Sequence, residues 1–241
     1  APGVHEARAL ESELFGAAQR VVVTTQAMAD DVAERINGGI AKTTVIPNYV
    51  DTGLFQPTST PNRDIDLLFI GRLAHQKNIA ALLDAHSRMD FTMTMVGSGP
   101  HRALVEESRS ALGHRLRWYD HMVNEKLPEI MARARIFILP SLWEGHPKVL
   151  IEAMAAGMTV IGARESGIRE VIRHGETGWL CGTDAENIRE AIEYLMDRPE
   201  LCDSLGRNAR DFVVENYSLD RIADLELALL HDIAKVGVAS P

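Results

Sequence analysis

The run Ile136-Phe137-Ile138-Leu139-Pro140-Ser141-Leu142-Trp143-Glu144-Gly145-His146-Pro147-Lys148-Val149-Leu150-Ile151-Glu152 decides the fold. It opens on an apolar, β-rich stretch, turns around Gly145 and continues into a segment whose pattern predicts a helix over 148–156. Strand, glycine-containing turn and helix is the unit of parallel α/β sheets. A helix starting near Pro147 aims its unpaired N–H groups and positive dipole end at whatever lies above Gly145, and phosphate suits that position. Glu144 lies in the turn and Glu152 about one and a half turns into the helix, so the two are not a close acid pair. They suit hydroxyl recognition, because a carboxylate accepts paired hydrogen bonds from neighbouring hydroxyls of a hexose or ribose.

Outward from this unit, short β-rich runs alternate with longer helical patterns, as in a doubly wound parallel sheet. Strands are expected at 20–25, 43–46, 65–70, 91–96, 115–119, 136–139, 159–162 and 178–180. Helices are expected at 5–19, 26–36, 78–89, 101–112, 124–134, 148–156, 168–174, 185–196, 199–215 and 219–236. Pro47, Gly53, Pro57 and Pro61, with the polar run Thr58-Ser59-Thr60, punctuate one long connection.

Six motifs in order carry a resemblance. They are Ile46-Pro47-Asn48-Tyr49-Val50-Asp51, Phe69-Ile70-Gly71-Arg72-Leu73 with Lys77-Asn78, Val96-Gly97-Ser98-Gly99-Pro100, the paired glutamates, Glu152-Ala153-Met154-Ala155-Ala156-Gly157 and Gly178-Trp179-Leu180. From about Val21 to about Tyr217 the chain resembles the retaining glycosyltransferases of the GT-B fold, the large family four (glycosyl transferases group 1) that includes sucrose synthase. The resemblance implies two Rossmann-like domains, an N-terminal one for the acceptor and a C-terminal one for the nucleotide sugar. Residues 1–46 then correspond to a remnant of the acceptor domain, 47–61 to the interdomain linker and 62–217 to a complete donor domain. Residues 218–241 correspond to a helix that crosses back. The chain opens on Ala1-Pro2-Gly3, and the expectation is a fragment or one half of a split enzyme. The strand at 21–25 is expected to lack its own sheet and to seek the missing N-terminal domain or a second chain.

The resemblance also implies roles. Arg72 and Lys77 match the pair that neutralises the diphosphate leaving group, which makes them catalytic through charge stabilisation. Glu144, counted with them as catalytic, matches the glutamate on the donor sugar, and Glu152 the one on the ribose hydroxyls. Gly71, Gly145, Lys148 and Val149 border the donor, the last two through their amides. Many relatives carry an aromatic and a glycine where this chain has His146-Pro147, so one backbone donor is lost. His146 is either a sugar contact or a solvated loop residue. His121 and Met122 follow Asp120, which replaces a glycine in the turn that holds the nucleobase. The implied reaction moves a sugar from a UDP-, GDP- or ADP-sugar to a sugar or glycoconjugate acceptor with retention, without a metal or other cofactor. Two alternatives remain: a non-catalytic nucleotide-sugar binding subunit, and a sugar-nucleotide epimerase of the same fold.

Composition is consistent with an enzyme domain. The 241 residues are 46% hydrophobic, enough for a sizeable core. A formal charge of −9 argues against nucleic acid, which requires a concentrated positive face. Arg72, Lys77 and Lys148 are the cations available to a diphosphate. Cys181 and Cys202 have no metal spacing and read as reduced thiols. No apolar run approaches membrane-spanning length and the first 20 residues lack a signal-peptide pattern, so a cytoplasmic location is expected. A lipid-linked acceptor would add peripheral membrane contact of the full-length protein.

Overall fold

The computed structural model describes residues 4–36, 39–58 and 63–238. The chain divides into two compact units, Ala1–Asn48 with Asp220–Pro241, and Tyr49–Leu219.

In the first unit, α1 (Val4–Ala17) precedes β1 (Val21–Val23), α2 (Gln26–Arg35), α3 (Gly39–Lys42) and β2 (Thr43–Val45). The α2 helix starts where the Thr25 hydroxyl accepts the Met28 N–H at 3.2 Å, a cap worth about 1 kcal/mol. Arg35 reaches back to Glu11 on α1 at 2.7 Å. The expectation that β1 lacks a sheet is corrected: it pairs in parallel with β2, Val21 opposite Thr43 and Val23 opposite Val45. Two strands are still too few for an independently stable sheet, and Leu10, Leu14 and Val22 are each at least half exposed.

The second unit opens on Tyr49–Pro57, which is packed rather than free. Val50 and Phe55 are buried, and the Arg210 guanidinium donates to the carbonyls of Thr52, Phe55 and Ala155 at 3.0, 2.7 and 2.8 Å. Residues so far apart in sequence are not tied together by local propensity. Then follow β3 (Ile65–Ile70), α4 (Ile79–Ser87), β4 (Met93–Val96), α5 (Arg102–Leu112), β5 (Leu116–Tyr119), α6 (Leu127–Ala132), β6 (Ala134–Leu139), α7 (Lys148–Ala155), β7 (Thr159–Ala163), α8 (Ser166–Arg169), β8 (Trp179–Cys181), α9 (Ala185–Met196) and α10 (Pro199–Tyr217). Strands β3 to β8 form one parallel sheet in the order β5-β4-β3-β6-β7-β8. Leu67, Leu68, Phe69, Phe137, Ile138 and Leu139 are buried without alternation, as strands covered on both faces must be.

The expected α/β doubly wound architecture is therefore present, with local corrections. The helix expected over 124–134 is a 3₁₀ turn at Asn124–Lys126 followed by α6, and β6 already begins at Ala134. The helix expected over 168–174 is the shorter α8, which begins at Ser166 and ends at Arg169. Pro147 is the cap residue rather than the first helical residue of α7. The last helix, α11 (Leu219–Val238), belongs from Asp220 onward to the first unit. Among the described residues no helix is long and apolar enough to cross a membrane.

Candidate functional site

Strand order reverses between β3 and β6. In open α/β sheets the crevice for a ligand opens there, outside the carboxyl ends of the strands. Here those ends release the two segments that carry the expected site residues: Gly71-Arg72 with Lys77 after β3, and Glu144 to Lys148 after β6.

The two segments are fastened to each other. The 3₁₀ turn His75–Lys77 offers its Gln76 carbonyl to Leu142 N–H at 2.8 Å, and Gln76 Nε2 donates to the Trp143 carbonyl at 2.9 Å. Lys77 Nζ then meets Glu144 Oε1 at 2.5 Å, with both side chains largely shielded, 14% and 8% exposed. Its charge is thus matched by the neighbouring loop, a pairing the sequence does not signal. Asn78 closes the turn in the left-handed conformation (φ 55°) and donates to Thr183 O at 2.6 Å. Asparagine is the residue that adopts this region most readily after glycine.

Glycines set the spacing. A Cβ on Gly97, at φ 138°, would overlap the Gly71 carbonyl oxygen. One on Gly167, in the first turn of α8, would overlap the carbonyl oxygens of both Gly145 and Glu144. No side chain fits at either place, so the Gly97 and α8 backbones press directly on the segments after β3 and β6.

Beside Gly71 and Arg72 a groove of about 530 Å³ runs over the ends of β3, β4 and β5, lined also by Gly97, Asp120, His121 and Met122. Arg72 is exposed there and makes no ion pair among the described residues. His121 is exposed and Met122 half buried. Asp120, the departure from glycine, is tied to Arg102 at 3.1 Å, and that guanidinium lies 5.0 Å over the Trp118 ring. Trp118 Nε1 donates to the Gly97 carbonyl at 2.9 Å, which joins this turn to the groove floor.

On the α7 side, the amides of Lys148 and Val149 precede the first intrahelical bonds, which are made by Leu150 and Ile151 to Pro147 O. The Lys148 ammonium lies 4.4 Å over the Tyr49 ring. Glu152 is 5% exposed, and its carboxyl accepts no hydrogen bond among the described residues. Burial pushes it up to about 7, with the Lys148 charge pulling the other way. His146 is neither solvated nor turned to the groove: its buried ring meets the Tyr217 edge at 4.8 Å, and burial holds the imidazole down at about 4. Ser141 and Pro147, on either side of this loop, are buried as well.

The structure thus brings Gly71, Lys77, Glu144 and Gly145 together, sets Arg72, His121 and Met122 along the adjoining groove, and puts Lys148, Val149 and Glu152 on α7. Gln76, Gly167, Tyr49 and Arg102 also support the site. Their partners lie far along the chain, so no local pattern in the sequence signals them. Trp179 is engaged in packing, 4.3 Å from His174 and stacked on Tyr194 at 4.7 Å. Among the described residues no group of three or more His, Cys, Asp or Glu side chains could hold a metal ion.

Known proteins resemble this chain over nearly its full length. Glycogen synthase of Mycobacterium tuberculosis (strain ATCC 25618 / H37Rv) is 26% identical over 252 aligned positions, covering 98% of this chain and 59% of that protein. The chain therefore spans about 59% of the length of that relative. Sucrose-phosphate synthase from Thermosynechococcus elongatus superposes with a TM-score of 0.86 at 25% identity, over 99% of this chain and 63% of the other. Anabaena Alr3699/HepE, solved in complex with UDP-glucose, superposes with a TM-score of 0.84 at 18% identity, over 95% and 68%. The family model described as glycosyl transferases group 1 matches residues 51–212, most of the second unit and all of the loops just described, and the chain belongs to that family of GT-B glycosyltransferases.

Proposed function

We propose that Tyr49–Leu219 is the donor half of a retaining glycosyltransferase that takes a nucleoside diphosphate sugar. The observation that carries this reading is the convergence at the strand-order reversal: Arg72 and Lys77 from one side, the Glu144 loop and the α7 amino end from the other. The diphosphate lies against the free amides of Lys148 and Val149, with Arg72 and Lys77 stabilising the leaving charge as the sugar C1–O bond breaks. Glu152 accepts the ribose hydroxyls and Glu144 those of the donor sugar. The groove beside His121 and Met122 has room for the base.

Glu144 is a poor nucleophile in this arrangement, because its carboxylate is engaged by Lys77. We therefore favour attack by the acceptor on the face the diphosphate leaves, a phosphate oxygen taking the acceptor proton, with no metal required. Acceleration comes from proximity and charge stabilisation. Ala1–Asn48 and Asp220–Pro241 belong to the acceptor half, whose remaining part is needed for efficient transfer. UDP-glucose, the nucleotide sugar held by the Anabaena HepE structure, is the first ligand to try.

Calorimetry with UDP-, GDP- and ADP-sugars tests the reading. One nucleotide series binds, and Lys77→Ala and Glu152→Gln each weaken it by roughly ten- to a hundredfold, the scale of one charged hydrogen bond. Unchanged affinity in both variants would place the pocket elsewhere.

A further inference from the structure

We infer that Glu144 makes the site prefer sugar-bearing nucleotides to bare nucleoside diphosphates, by holding Lys77 until a sugar takes the lysine's place. The inference rests on the donor-site reading above and adds a role that reading does not contain. Three observations carry it. Lys77 Nζ and Glu144 Oε1 are 2.5 Å apart, and neither side chain is more than 14% exposed. The two loops bearing them are pinned to each other by both Gln76 hydrogen bonds, which keeps the partners within reach. The Gly167 backbone presses on the carbonyls of Glu144 and Gly145, which denies that loop a retreat.

An exposed pair of this kind would be worth little and would open freely. A shielded one is different, since withdrawing either partner leaves the other charge buried and uncompensated. A bare diphosphate needs Lys77. By taking the ammonium it strips Glu144 of its counter-charge. A sugar nucleotide makes the same demand but brings hydroxyl donors, and two of these replace the ammonium on the Glu144 oxygens. The penalty therefore falls on the nucleotide that has no sugar. After transfer the product is that nucleotide, so re-formation of the Lys77–Glu144 pair assists its release.

The test is calorimetric titration of UDP, GDP, ADP, UDP-glucose, GDP-mannose and ADP-glucose into the wild-type chain and into Glu144→Gln, Lys77→Met and the double variant. In the series that wild type binds, Glu144→Gln is expected to hold the bare diphosphate about tenfold more tightly and the sugar nucleotide no more tightly. The preference for the sugar form then falls about tenfold or more. On the Lys77→Met background the same substitution gains nothing. A purely structural Glu144 would shift both ligands by a common factor; that result, or a gain that persists without Lys77, overturns the inference while leaving the donor site standing. Failure of the donor site itself looks different: if wild type binds none of the six, both readings fall, whereas a Lys77→Met variant that leaves every affinity unchanged overturns the inference, and the donor site with it only if Glu152→Gln is silent as well. Should Glu144→Gln not fold, Glu144→Asp keeps the charge but draws it back by one methylene, and a smaller change in the same direction is expected.

Discussion

Glu152→Gln should make this protein more stable in alkaline solution while damaging its ligand site. The carboxyl is 5% exposed and titrates near 7 against an ordinary 4.5, burial being the larger cause and Lys148 the smaller, opposing one. Between those two values the native chain retains a proton that the unfolded chain has lost, so stability falls as pH rises through the interval and stays reduced above it. Each pH unit separating the native from the unfolded pKa is worth about 1.4 kcal/mol, so roughly 2–3 kcal/mol of this loss develops between about pH 5 and pH 8.5. Water entering the crevice trims it to about 1–2 kcal/mol. Glutamine has nearly the same shape and does not titrate. Its advantage over wild type should therefore grow by that amount across the interval, or by about 2–8 °C in Tm for a chain of this size. Thermal unfolding of both proteins at pH 5 and pH 8.5 measures it. A Tm difference that is the same at both values, or that shrinks at the higher one, refutes the argument that an ionised Glu152 is costly in the folded chain.

His146 works in the opposite direction: held near 4 by burial, its imidazole contributes stability that is complete above about 6.5 and is lost as pH falls toward 4, so its ring resonances in NMR should stay unchanged down to pH 5. Gly167→Ala drives a methyl into two loop carbonyls, and we expect a loss of about 1–3 kcal/mol in denaturant titrations together with weaker nucleotide-sugar binding. Burial pushes the Cys181 thiol up to about 12, so the folded chain should resist thiol-directed reagents at pH 8 and react after denaturation; rapid modification of the native protein would contradict its placement.

Much of the fold could be read locally. The strand Ile65–Ile70 and the helix Ala185–Met196 match their expected limits to the residue, because an unbroken apolar run and a capped amphipathic stretch each have one good solution. Asp184, whose side chain accepts the Asn187 N–H at 2.9 Å, marks the start of that helix in the sequence itself. The site was legible as a set of residue types at the ends of strands. Its wiring was not. Nothing in the order Glu144-Gly145-His146 shows that the glutamate turns to a lysine 67 positions away while the histidine turns inward to Tyr217. Nor does Lys148 signal that its ammonium lies over Tyr49.

The sequence alone determined that this chain builds a parallel doubly wound sheet and puts Arg72, Lys77, Glu144 and Gly145 in the segments that follow two of its strands, because hydrophobic period, turn residues and short motifs act over a few neighbours. Only the tertiary structure decided that those loops meet at the strand-order reversal, that Lys77 is already paired, and that Glu152 is buried enough to hold a proton near neutrality. Pairing and desolvation depend on which distant segments share a volume, and that is settled when the sheet assembles.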